Sequence, residues 1–219
     1  MEAERDERAG NLASQLRGAA RVGCVGSRDL PPDAAAACRQ IAADLVRGGY
    51  AVVTGATPGE PGRDLWADWA EGAFAYGAAR VDPQRLTVCL PWRHFPRGAR
   101  APEAGVTAEY ASDHPDWSAH AARFWAQTHD ATEADWARAV PRATRLRRER
   151  GVGVVLGARM LLAWPHGPAE GTRFALACAA WMGVPTLDLT QTAWWTVAPG
   201  LVERLRALER LGESSAGSG

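Results

Sequence analysis

The sequence predicts an α/β protein with a mainly parallel, doubly wound sheet of about five strands and a helical insertion. Short apolar runs alternate with amphipathic stretches of helical length, which is the pattern of parallel strands joined by crossover helices. Glycine-containing turns follow three of these runs, and such turns lie at the carboxyl edge of a parallel sheet. At 219 residues the chain is long enough for one domain of this kind.

The elements are predicted in order along the chain from the apolar runs and the residues that end them. We expect strands at 21–26, 50–55, 85–91, 158–165 and 184–189. Helices are expected in the Ala-rich stretch that ends at Gly48 and Gly49, at 63–77, at 171–183 and near the C-terminus.

The alternation breaks between Trp92 and about Arg147, where turn-forming residues, His and Trp accumulate. We interpret this segment as a helical insertion or cap. Residues 1–20 are expected to form a charged lead-in and residues 212–219 a disordered tail, so that a single domain covers 21–211.

Composition excludes several classes of function. The 25 basic and 25 acidic residues cancel, which argues against a general phosphate-tracking nucleic-acid binder. Every basic residue is Arg, and without lysine the chain has neither a Walker lysine nor a Schiff-base lysine. No signal peptide is visible, and the longest apolar stretch, Val152–Trp164, is too short to span a bilayer. A cytoplasmic protein without membrane association is therefore expected.

Most of the cysteine, histidine and tryptophan residues are predicted to have structural and not catalytic or metal-binding roles. Four isolated cysteines in apolar segments predict buried thiols, at Cys24, Cys38, Cys89 and Cys178. The insertion carries His94, His114, His120 and His129 without metal-ligand spacing, so a solvated cap surface is favoured and no metal site is predicted. The i, i+3 pair Trp66 and Trp69 is interpreted as core, whereas Trp92, Trp194 and Trp195 are the better candidates for stacking on a base.

The three turns indicate where a ligand would bind. In VGSR (25–28), a hydroxyl, a guanidinium and backbone amides could together hold a phosphate. In TGATPGEPGRD (54–64), Asp64 could cap a helix or contact a ribose or base. In HGPAEGT (166–172), Gly171 and Thr172 are expected at a helix N-terminus whose amides face an anion.

Together with LPW (90–92) and the run RGVGVVLGARMLLAWPHGPAEGTRFALACAAWMGVPTLDL, these turns resemble the SLOG superfamily of Rossmann-like domains. That superfamily includes the DNA-processing protein A family, the LOG phosphoribohydrolases and molybdenum-cofactor carrier proteins. The resemblance covers about residues 21–190 without much of the insertion, and the chain looks most like small stand-alone members. It implies a nucleotide or nucleotide-derived ligand, no required cofactor, and a sensor or carrier role. The positions that it assigns to ligand binding are Gly26, Ser27, Arg28, Thr54, Gly55, Gly62, Asp64, Arg150, Gly171 and Thr172.

The chain departs from the family pattern at three positions. Gly151 stands where relatives have Asn after the arginine, and Glu170 precedes Gly171 where they have a second glycine. The closing glutamate of the phosphoribohydrolase signature falls on Ala175. Hydrolysis of an N-glycosidic bond in a nucleoside monophosphate would therefore have to recruit Asp64 or Glu170 as its acid–base group.

Two further alternatives stay open at this level. A single-stranded nucleic-acid-binding module would need an exposed arginine stripe, formed by Arg142, Arg145, Arg147, Arg148 and Arg150. The apolar C-terminal helix could cover the sheet or pair with a second subunit, so a homo-oligomer is also compatible with the sequence.

Overall fold

The structure is a computed structural model, and it describes residues 20–56, 68–95, 105–167 and 169–191. The predicted lead-in before residue 20, the C-terminal helix and the tail after residue 211 lie outside the described residues. Gly62, Asp64, Trp66, Trp194 and Trp195 lie outside them as well.

Within the described residues, six parallel strands form one sheet, which confirms the predicted fold class. Its spatial order is β4-β3-β2-β1-β5-β6, with every neighbouring pair parallel. The strands are β1 (Arg21–Gly26), β2 (Ala51–Thr54), β3 (Leu86–Leu90), β4 (Thr107–Tyr110), β5 (Ala158–Trp164) and β6 (Thr186–Asp188).

Strand β4 was not predicted, and it lies inside the segment interpreted as a helical insertion. It pairs with β3, Leu90 opposite Tyr110, at the edge of the sheet. Its four residues, TAEY, are half-buried or exposed, so they lack the apolar run that announces the other strands. Sheet pairing with β3 rather than a local pattern makes this segment a strand.

Six α-helices are described, and they form two layers on the sheet. They are α1 (Pro32–Arg47), α2 (Ala70–Ala79), α3 (Pro115–Thr128), α4 (Glu133–Ala139), α5 (Arg142–Val155) and α6 (Glu170–Trp181). Short 3-10 turns precede β3 and α3, at Pro83–Arg85 and Ala111–Asp113. The start of α1 follows a familiar local pattern, because Pro32 occupies the first turn, where no intrahelical N–H is required, and Asp33 complements the helix dipole.

A hydrophobic cluster lies between the sheet and each of the two helical layers. Helices α1 and α2 pack on one face of the sheet, where Val22 and Cys24 of β1 point. Helices α3, α5 and α6 pack on the other face, where Val25 of β1 points. The alternation of β1 side chains between the clusters follows the two-residue period of a strand that is covered on both faces.

Two predicted boundaries are wrong. Helix α2 begins at Ala70 and not at residue 63, since Asp68 and Trp69 form a turn and a bend. The insertion was predicted to end near Arg147, yet that residue lies in the middle of the continuous helix α5. Instead of capping the sheet, this segment builds much of its second helical layer, and its tryptophans Trp117, Trp125 and Trp136 are buried there.

Strand β1 lies where the direction of winding reverses. The chain leaves β1 for α1 on one face, whereas it leaves β5, the neighbour of β1, for α6 on the other face. The two turns therefore diverge and leave a crevice at the carboxyl edge, which is the usual ligand position in such sheets. None of the described helices is long and apolar enough to cross a membrane.

Candidate functional site

A cavity of about 370 Å³ occupies this crevice between the turns that follow β1 and β5. The start of α2, one face of α5 and the start of α6 complete its wall. The cavity brings together residues that the sequence placed in three separate segments. The predicted residues on its wall are Gly26, Ser27, Arg28, Arg150, Glu170, Gly171 and Thr172.

Ser27 connects three elements at the floor of the cavity. Its backbone N–H donates to the carbonyl of Trp164 at 3.0 Å, and its carbonyl accepts from the N–H of Ala70 at 3.2 Å. Its Oγ accepts from the N–H of His166 at 2.7 Å. With a relative exposure of 2%, Ser27 holds the turn after β5 and the start of α2 in place around the site.

A buried ion pair crosses the carboxyl edge of the sheet beside Ser27. Arg150 of α5 donates from Nη1 and Nη2 to the two carboxylate oxygens of Glu71 in α2, each at 2.9 Å. Nη1 also donates to the carbonyl of Gly55 at 2.8 Å. Arg150 is 9% exposed and Glu71 5%. Because α2 and α5 lie on opposite faces, this bidentate pair links the two helical layers over the end of β2.

Thr54 and Gly55 support wall residues and do not themselves line the cavity. The Thr54 hydroxyl donates to the carbonyl of Cys24 at 2.9 Å, and it also lies 3.3 Å from the carbonyl of Glu71. A Cβ at Gly55 would come within 2.6 Å of the Arg150 guanidinium carbon. Glycine is therefore needed at this position so that Arg150 can pass over the strand end.

The start of α6 matches the predicted helix N-terminus. Ala169 precedes the helix without any side-chain cap, and Glu170, Gly171 and Thr172 form the first turn. The first-turn N–H groups of a helix have no intrahelical acceptor, so this end of α6 is suited to an anion. Glu170 is exposed at the rim, where its carboxylate opposes an anion.

Two more arginines of α5 line the cavity, and they change the interpretation of the arginine stripe. Arg147 is exposed, while the Arg148 guanidinium lies over the rings of Trp136 and Phe174, at 5.9 and 5.4 Å. Arg150 is buried in its ion pair with Glu71. The five arginines do not form one exposed stripe, because the helical period distributes them around α5.

Glu71, Trp69 and His166 also line the cavity, although the sequence did not predict them there. The indole of Trp69 was expected in the core, but it is half-buried at the cavity, with the Arg28 guanidinium 5.3 Å above it. Trp92, a stacking candidate, packs edge-on against Phe95 at 4.9 Å. A carboxylate in the first turn of a helix that follows a glycine turn was the only local signal for Glu71.

The histidines of the insertion are dispersed. His94 and His129 are exposed, and His114 and His129 stack on Trp117 and Trp125. Among the described residues, no group of three or more His, Cys, Asp or Glu side chains is arranged to hold a metal ion.

All four thiols are buried and reduced, as the sequence predicted. Burial raises the pKa of Cys38 to about 12 and that of Cys178 to about 11, and it also raises the pKa of Cys24 and Cys89. A thiol with a raised pKa is a poor nucleophile at neutral pH. The cysteines are therefore part of the core.

Comparison of the chain with known protein families, curated proteins and solved structures gave no match. Membership of the SLOG superfamily thus remains a prediction from the turns quoted above. The strand order and the two helical layers are those of a Rossmann-like doubly wound fold.

Proposed function

We propose that the protein binds a nucleotide or a nucleotide-derived small molecule in the cavity between the β1 and β5 turns, as a sensor or carrier. The main support is that arginines from two segments and the uncapped N-terminus of α6 line one crevice. This crevice lies at the carboxyl edge of the parallel sheet, between β1 and β5, where the direction of winding reverses.

The charges on the wall suit a ligand that is anionic at one end. The wall carries Arg28, Arg147 and Arg148 together with the carboxylates of Asp29 and Glu170, while Arg150 is neutralised by Glu71. The excess positive charge and the α6 amides favour a phosphate. The carboxylates can accept hydrogen bonds from the ribose hydroxyls and the base amino groups of a nucleotide, which inorganic phosphate lacks.

The aromatic side of the cavity suits a planar ring. The Arg28 guanidinium lies over the Trp69 ring, and Phe95 and Pro91 add apolar area to the wall. Guanidinium and indole planes both stack on nucleobases. A ligand with a base at this side and a phosphate near α6 would use both halves of the wall.

Hydrolysis of an N-glycosidic bond is the enzymatic alternative. Of its two sequence candidates, Glu170 is exposed on the cavity wall, and Asp64 lies outside the described residues. Ala175, where the phosphoribohydrolase pattern has glutamate, is buried in the helical layer. Binding without turnover is therefore the better-supported function. Release of ribose 5-phosphate from a nucleoside monophosphate would identify the hydrolase.

Binding of single-stranded nucleic acid is supported less well. It needs several exposed arginines on one surface, and burial of Arg150 removes one member of the predicted stripe. Steep salt dependence of single-strand binding would favour this alternative, and absence of binding at low salt would exclude it.

The direct test is thermal unfolding of the protein against a panel of nucleotides, nucleotide sugars and cyclic dinucleotides. A ligand at a hundredfold excess over its dissociation constant stabilises the folded state by about 2.7 kcal/mol, enough to raise the midpoint by several degrees. We expect Arg28→Ala and Arg147→Ala to lose most of that shift, since each removes a charged group from the wall.

Arg80→Ala is the matched control. Arg80 is exposed at the C-terminal end of α2, at the opposite end of that helix from Glu71. Its loss changes net charge by the same amount and should leave the ligand shift intact. No shift with any member of the panel, or equal losses in all three variants, would contradict the proposal.

A further inference from the structure

A second cavity, of about 330 Å³, lies on the opposite face of α5. Arg142, Arg145, Leu146 and Glu149 line it, whereas Thr144, Arg147, Arg148 and Arg150 line the first cavity. At 3.6 residues per turn these two sets of residues point to opposite sides of the helix. Ser118 of α3 and the turn that precedes α3 complete the wall of this second cavity, which is open to solvent.

Glu149 is a buried carboxylate on the wall of this second cavity. It is 4% exposed, and its Oε1 accepts from the Ser118 hydroxyl at 2.9 Å and from the Trp136 indole N–H at 3.4 Å. Among the described residues, no arginine or histidine nitrogen lies within ion-pair distance of it. A buried carboxylate without a cation is costly, so this group is suited to a cationic partner.

Positive charge lines the same cavity but does not pair with Glu149. Arg142 and Arg145 both contribute to the wall, and the buried Nε of Arg145 has no hydrogen-bond partner among the described residues. This Nε–H is therefore available to donate a hydrogen bond to a ligand in the cavity. The cavity thus holds a hydrogen-bonded carboxylate without a cation and a guanidinium Nε without an acceptor, both on α5 and one helical turn apart.

We propose that this cavity binds a small zwitterion of the α-amino acid type. Its ammonium group would donate to Glu149, and its carboxylate would accept from Arg145 and Arg142 in the geometry that guanidinium groups favour. Ala111, Pro115 and Leu146 provide apolar wall for the side chain of the ligand. A cavity of this size is at the small end of ligand pockets.

The test is isothermal titration of the full chain with the free α-amino acids, each compared with the amine and the carboxylic acid that carry only one of its two charged groups. We expect binding of at least one amino acid and at least tenfold weaker binding of both comparison compounds, because each loses a charge-assisted hydrogen bond.

Glu149→Gln is the matching variant, since the amide oxygen still accepts from Ser118 and Trp136 while the negative charge is lost. It should weaken binding at least about tenfold. Arg147→Gln, on the opposite face of α5, should bind the amino acid as the unaltered chain does. This control also keeps the test independent of the nucleotide site.

A second readout does not depend on the fold tolerating Glu149→Gln. The Trp136 indole N–H donates to Glu149, so its proton resonance should shift when the amino acid binds. The resonance is assigned with Trp136→Phe. Absence of amino-acid binding at millimolar concentration would overturn the proposal, and so would unchanged affinity in Glu149→Gln.

Discussion

The buried ion pair between Arg150 and Glu71 forms part of the wall of the first cavity. Each charge is held by the other in a buried position, and Arg150 also donates to the Gly55 carbonyl. Removal of one partner leaves an uncompensated buried charge, whereas replacement of both by apolar groups does not. The pair therefore affects stability asymmetrically.

We expect Glu71→Gln and Arg150→Met each to lower the free energy of unfolding by about 3–5 kcal/mol. The double variant Glu71→Leu with Arg150→Met should recover much of that loss, because no charge stays buried alone. Urea unfolding of the four proteins measures both effects. Single variants that unfold at the midpoint of the unaltered chain would show that the pair is not buried in solution.

The buried thiols predict a loss of stability in alkaline solution. Above about pH 8.5 the thiols ionise in the unfolded chain but stay protonated in the folded one. The free energy of unfolding then falls with rising pH, by about 1.4 kcal/mol per pH unit for each thiol. For Cys38 this loss continues up to its folded pKa of about 12.

Urea unfolding at a series of pH values measures that slope, and Cys38→Ala should make it shallower. At pH 8 a disulfide reagent should modify none of the four thiols in the folded protein and all four after unfolding. Rapid modification of the folded protein would contradict the buried positions.

At the scale of elements, glycine is required within a helix where the backbone of a neighbouring helix approaches it closely. A Cβ at Gly77 of α2 would collide with the backbone carbonyl of Arg39 in α1. At Gly151 of α5, the nearest atom outside the helix would be the Ala175 Cβ at 3.4 Å, an ordinary contact. Both glycines lie inside helices, but only Gly77 packs directly against the backbone of a neighbouring helix.

We expect Gly77→Ala to destabilise the protein by about 1–3 kcal/mol, because α1 and α2 must move apart. Gly151→Ala should be neutral or stabilise by up to about 1 kcal/mol, since alanine favours the helix. Thermal unfolding of both variants tests the difference. Equal effects would mean that α1 and α2 do not approach as closely as the structure places them.

At the scale of the whole molecule, β1 is the centre of the fold. It pairs with β2 on one side and β5 on the other, and helices cover both of its faces. Among the described residues, strand β4 pairs only with β3, and its side chains are half-buried or exposed. Stability should therefore fall from the centre of the sheet towards this edge.

Amide hydrogen exchange should show this gradient. We expect the amides of β1 to exchange only by global unfolding and those of β4 to exchange at least about a hundredfold faster, through local opening. Equal protection of the two strands would mean that the edge is covered, as it would be in an oligomer.

The features that could be predicted are those that a few neighbouring residues in the sequence determine. Five strands and the parallel sheet were evident from apolar runs and glycine turns, and Gly26, Ser27, Arg28, Gly171 and Thr172 were named from turn chemistry. Strand β4 escaped prediction because its partner β3, and not its own residues, makes it a strand. Glu71 escaped because Arg150, which defines its role, is 79 residues away.

The class of fold and the positions of the three turns are properties of local sequence, because side-chain period and turn geometry act over a few residues. Tertiary packing decided which of the marked side chains share a cavity and which support it. It placed Trp69 on a wall instead of in the core, buried Arg150 against Glu71, and turned Arg147 and Glu149 of one helix towards two different cavities. Those outcomes depend on contacts between residues far apart in the chain. Such contacts determine which charges can be buried and how the helical layers pack on the sheet.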